Sequence, residues 1–71
     1  MVEFNAARMR ALIAKDPGLK WFLQNMKDTG VGRAADGTPP TEDFLLEILF
    51  NSEVLEDTCM QRKYAKLKVA A

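Results

Sequence analysis

Nucleophilic catalysis of the triad kind needs a nucleophile and an adjacent base, most often histidine. This chain of 71 residues has no histidine, one serine and one cysteine. The serine, Ser52, follows Asn51 at the end of an apolar run and is better accounted for as a helix cap or breaker. Cys59 falls on a helical pattern between Leu55 and Met60 and is expected to be a structural, partly buried thiol, since free cysteine behaves as a small hydrophobe. One thiol without imidazole gives zinc no ligand set. Neither a metal nor a cofactor is expected.

Gly30-Val31-Gly32-Arg33-Ala34-Ala35 matches G-x-G-x-x-A to the letter. A dinucleotide fingerprint needs a strand before it and a helix after it, so that the helix N-terminus receives the pyrophosphate. Here a helix ends at Met26-Lys27-Asp28-Thr29, and Asp36-Gly37-Thr38-Pro39-Pro40 comes next, so the match is a turn. The acids Glu42, Asp43, Glu47, Glu53, Glu56 and Asp57 lie at helical spacing. Calcium loops alternate their oxygen ligands around a glycine turn, so these residues are assigned to solvated helix faces.

Binding chemistry is better represented. Arg8, Arg10, Lys15 and Lys20 lie on two successive helices around a tight turn, the outline of a helix-turn-helix reader of DNA or RNA. Their density is low, and Asp16 and the acidic centre of the chain oppose phosphate. Leu46-Glu47-Ile48-Leu49-Phe50 resembles the short leucine helices that lie in a partner's groove, although core packing is the default for such a run. Trp21 points away from the apolar stripe of its own helix, among Lys20, Gln24 and Asn25. Tryptophan is enriched in binding hot spots. The candidate partner-binding residues are therefore Lys20, Trp21, Gln24, Leu46, Leu49 and Phe50.

Four helical segments must position these residues. Asn5 is a favoured N-cap, with Phe4 and Met9 at the two positions of a hydrophobic staple, and predicts a helix over 5–15; Val2, Ala6, Met9, Leu12 and Ile13 fall on its inner stripe. Asp16-Pro17-Gly18 ends it and starts a second helix over 17–28, because proline suits the first helical position and disfavours α geometry in the residue before it. Leu19, Phe22, Leu23 and Met26 share the stripe that seats this helix, and Gly30 is placed to cap its end. Residues 30–40 hold three glycines and two prolines and read as a long loop. Thr41 caps the next helix, with Glu42 and Asp43 in a first turn that favours acids. Residues 42–69 form one long helix or two short ones, with Asn51-Ser52 as the break. The run 44–50, apolar at six of seven positions, is buried on several sides, which makes Leu49, like Phe22 of the second helix, an expected core residue. The last part is amphipathic through Met60, Tyr64 and Leu67, with Arg62, Lys63, Lys66 and Lys68 at its end.

The net charge is zero but segregated. Residues 1–33 carry six bases and three acids, 34–61 seven acids and no base, and 62–71 four bases and no acid. The bland account is complementary packing within a fold or dimer; the sharper one is a polar partner surface. The hydrophobic share of 48% suits a folded domain. A domain this short buries a modest part of its surface, so an oligomer or partner is expected to complete it. The N-terminal MVEFNAARMR lacks an apolar leader, no stretch has the length of a membrane span, and a lone cysteine suits a reducing compartment. The expected location is the cytoplasm or an intracellular assembly.

The sequence thus predicts a single all-α domain, a bundle of three to four short helices. Its first-ranked function is a small non-catalytic protein–protein interaction module, such as a regulatory, inhibitory or accessory subunit, whose partner is another protein or a second copy. A helix-turn-helix-like nucleic-acid regulator ranks second, and a small all-α enzyme without metal or histidine third.

Overall fold

A carboxylate, amide or hydroxyl that reaches back to free N–H groups decides where each helix of this chain begins. The computed structural model describes residues 2–67. It contains α1 (Ala6–Lys15), α2 (Pro17–Thr29), α3 (Glu42–Leu49) and α4 (Thr58–Ala65), with a π-helical segment, Phe50–Val54, continuing α3. There is no strand among the described residues. The protein is a small all-α bundle.

Asn5 Oδ1 accepts from the Arg8 N–H at 2.9 Å and caps α1. Asp16 serves two helices. Its own N–H donates to the Ile13 carbonyl at 3.2 Å, closing α1. Its Oδ1 accepts from Gly18 N–H at 2.9 Å and Leu19 N–H at 3.2 Å, opening α2. With Pro17 next, α2 starts without a spacer. It ends at Gly30, whose φ of 77° is the left-handed conformation that glycine adopts without a Cβ penalty. Thr41 Oγ1 accepts from the Phe44 N–H at 3.2 Å and caps α3.

The 30–40 connection is organised by short-range bonds. Ala34 N–H donates to the Thr38 carbonyl at 3.1 Å and Gly37 N–H to the Ala34 carbonyl at 2.9 Å. Asp36 Oδ1 accepts from the Thr38 N–H at 2.9 Å, an Asx turn. Bonding to Thr38 holds the Asp36 carboxyl below its usual range. The Gly30-Val31-Gly32 motif is the C-cap of α2 and the turn after it.

Residues 42–69 resolve as two helices, and the break is not at Asn51-Ser52. Ser52 Oγ donates to the Ile48 carbonyl at 2.9 Å, back-bonding of the kind that loosens a helix locally. There the turn widens, and Leu55 N–H reaches the Phe50 carbonyl at 3.0 Å, five residues back. The chain leaves the helix at Leu55-Glu56 and restarts at Asp57, whose Oδ1 accepts from Cys59 N–H at 2.9 Å and Met60 N–H at 3.2 Å. Helix α4 ends at Ala65; residues 68–69 of the predicted helix, with Lys68, lie outside the described residues.

The core draws on every element. Met9, Leu12 and Ile13 come from α1, Leu19 and Met26 from α2, Leu45, Leu46 and Leu49 from α3, Phe50 and Val54 from the π segment, and Tyr64 from α4. Phe22 and Leu23 are only partly covered against it. Two expectations are corrected here. Leu46, Leu49 and Phe50 are interior side chains, at most 3% exposed, so they fill this bundle's core rather than a partner's groove. Cys59 is exposed, because α4 turns the Met60–Tyr64–Leu67 side inward and Cys59 lies one residue, about 100° of helix, before Met60.

Candidate functional site

Helix α2 is capped by Asp16 at one end and by Gly30 at the other, which fixes its register. That register points Leu19 and Met26 inward and leaves Lys20, Trp21 and Gln24 exposed. The Trp21 side chain is 68% exposed, the most open large hydrophobic side chain among the described residues. It lines a shallow groove of about 500 Å³ with Pro17, Lys20, Leu23, Gln24 and Lys27. Three predicted partner residues, Lys20, Trp21 and Gln24, are thus brought together; the other three, Leu46, Leu49 and Phe50, are interior. Gln24 Nε2 donates to Asp28 Oδ1 at 3.0 Å, and Lys27 Nζ pairs with Glu42 Oε2 at 3.4 Å. Lys20 is in none of the ion pairs among the described residues. The groove is an apolar plate beside a free ammonium, with an amide at its edge.

Pro17, Leu23 and Lys27 also line the groove, beyond the residues that the sequence pattern points to. Pro17, Lys20, Gln24 and Lys27 succeed one another at three- and four-residue steps, so a helical wheel centred on Trp21 instead of on the core stripe finds them.

The four predicted nucleic-acid residues do not form one surface. Arg10 pairs with Glu42 Oε1 at 3.5 Å and with Asp43. Arg8 turns its guanidinium toward the end of α4, where Nη1 donates to the Tyr64 carbonyl at 3.2 Å and the Ala65 carbonyl at 3.1 Å. Its Cζ sits 5.5 Å from the Tyr64 ring centroid. Arg8 is therefore a cap for the negative end of α4. Lys15 and Lys20 remain exposed and take part in none of the ion pairs among the described residues.

A second polar constellation, missed in the sequence, joins the two ends of the chain. Tyr64 Oη accepts from the Asn5 N–H at 2.7 Å and donates to the Glu3 carbonyl at 2.8 Å. The ring packs against Phe50 at 5.1 Å between centroids, and Phe50 meets Phe4 edge-on at 5.6 Å. Burial raises the Tyr64 phenol above its usual value, against the opposing pull of the Asn5 N–H and the Arg8 charge. The sequence pattern places Tyr64 on an apolar stripe; its hydroxyl partners are about sixty residues away, and local spacing carries no trace of them.

Comparison of the chain with family models, with curated proteins and with solved structures finds no match in any of the three. Among the described residues no helix is long and apolar enough to cross a membrane.

Proposed function

We propose that this chain is a non-catalytic protein-interaction module that docks a larger protein through the Trp21 face of α2. The observation that carries this reading is the 68% exposure of an indole in a chain whose other aromatic rings, except Phe44, are at least partly covered. Leaving such a ring in water is a standing cost of the free state. Burying an aromatic side chain contributes on the order of 2–3 kcal/mol, and tryptophan anchors are typical of interface centres. Lys20 beside it favours a partner whose apolar contact carries an acid. The nucleic-acid reading is weaker, because Arg8 and Arg10 already hold intramolecular partners.

The test is affinity capture from the native source with the wild-type chain and with Trp21→Ala in parallel. The expected result is a stoichiometric protein retained by the wild type and lost by the variant, while the urea midpoint implies a stability change within about 0.5 kcal/mol, as for a surface position. Equal retention by both forms, or unfolding of the variant, rejects the assignment. A salt-sensitive gel shift on random-sequence DNA that survives Trp21→Ala instead supports the nucleic-acid reading.

A further inference from the structure

We infer that two copies of this chain pair through α4, with the two helices antiparallel around a two-fold axis. This inference does not depend on the Trp21 face, which belongs to α2. It rests on complementary features at the two ends of α4. At the C-terminal end is a pocket of about 370 Å³ with Leu12 and Leu67 as its apolar lining and Lys15, Lys63 and Lys66 beside them. Asp16 also borders it, but its Oδ1 is held by the Gly18 and Leu19 N–H groups. At the N-terminal end Leu55 is 36% exposed, with Glu53, Glu56 and Asp57 around it in sequence.

These charges have no ionic partners within the described fold. Its three ion pairs use only Arg10 and Lys27 with Glu42 and Asp43. The eight residues of α4 span about 12 Å, so Leu55 and the pocket lie at opposite ends of the helix. A second copy can supply what each end lacks. Antiparallel pairing sets Leu55 of each copy over the Leu12–Leu67 pocket of the other and brings Glu53 and Glu56 to Lys63 and Lys66. Parallel pairing sets like charges against each other. At each contact Glu53 and Glu56 of one copy meet Lys63 and Lys66 of the other, so the charges that face each other balance. Tyr64 is the one fully buried residue of α4, and Thr58, Cys59, Arg62, Lys63 and Ala65 are exposed. The contact is self-complementary and closes at two copies.

The test is sedimentation velocity of the full chain over a dilution series. The expected species are monomer and dimer, with dissociation about tenfold easier as ionic strength rises from about 0.05 M to about 0.5 M, because screening weakens charge pairing. The variants K63E/K66E and E53K/E56K each place like charges at both contacts. Each stays monomeric where the wild type is dimeric, with unchanged helix content by circular dichroism. Their equimolar mixture forms a heterodimer, because opposite charges then meet across the contact. Trp21→Ala dimerises like the wild type. A wild type that is monomeric at every concentration in low salt overturns the inference, even if it binds acidic peptides. So does either folded variant dimerising normally, or a mixture of folded variants that stays monomeric.

Discussion

Tyr64 is the residue whose contribution is most out of proportion to its appearance in the sequence. Its hydroxyl satisfies a donor on Asn5 and an acceptor on Glu3 at once, in a site where the side chain is 2% exposed. Tyr64→Phe leaves both backbone groups without that partner. The expected loss is about 1 kcal/mol in urea unfolding, the usual net contribution of one hydrogen bond, since both bonds are only partly buried. The same hydroxyl imposes a pH dependence. Burial raises its pKa in the folded state above the ordinary 10.0, so folding favours the neutral phenol. The associated stability is fully present below pH 10.0 and is lost as pH rises through the raised value. Only the neutral phenol can donate to the Glu3 carbonyl, which gives the trend a structural cause. As this is the sole tyrosine, phenolate absorbance titrates it alone; its midpoint is expected above the ordinary value. Stability should fall more steeply with alkali in the wild type than in Tyr64→Phe, which controls for the lysines.

At the scale of elements, side-chain caps set the boundaries, and they do so unequally. Asp16 closes one helix and opens the next in a single residue, so α1 and α2 join without a linker. Asp57 has the harder task, since α4 has eight residues and helices that short are marginal by themselves. Asp57→Ala removes both of its capping bonds. It is expected to cost about 1 kcal/mol, measurable as a lower urea midpoint, with the loss of protection in hydrogen exchange concentrated in 58–65. Asp57→Asn keeps the acceptor and is expected to recover most of it. If both variants melt like the wild type, tertiary contacts alone hold α4. Between α3 and α4 the π turn places Phe50 and Val54 both inward, where a plain α-helical turn would set the residues after it at a different angle.

Over the whole molecule, one apolar core takes in all four helices, while the charges work at its margin. The Arg10–Glu42–Asp43 and Lys27–Glu42 contacts are on half-exposed side chains, where pairs contribute about 0–1 kcal/mol. The core therefore decides stability, and it decides it unevenly. Leu49 is fully enclosed, so Leu49→Ala is expected to cost about 2–5 kcal/mol through lost transfer energy and the cavity left behind. Phe22 is only partly covered, and Phe22→Ala is expected to cost clearly less, about 1–2 kcal/mol, because part of the ring already faces water. Denaturant unfolding that ranks Phe22→Ala at or above Leu49→Ala would place the core elsewhere.

Local chemistry by itself determined the helical class, the starts of α1, α2 and α3, and the outward aim of Trp21. These arise from caps, proline and the 3.6-residue period, which act over four or five residues and are written in consecutive positions such as Asn5, Asp16-Pro17 and Thr41. The tertiary structure decided which apolar face each helix could keep. Leu46, Leu49 and Phe50 suit a core and a partner's groove equally well as a pattern, and only the arrival of Met9, Leu12 and Tyr64 in the same cluster encloses them. Arg8 and Arg10 are two cations on one helix by sequence. In space one caps α4 and the other pairs with α3, because those helices end and begin beside it. Tyr64 joins residues 3, 5 and 64, a closure across nearly the whole chain that no local period encodes. Contacts within one turn of helix are a property of the sequence order; contacts that depend on how helices cross exist only once the bundle has formed.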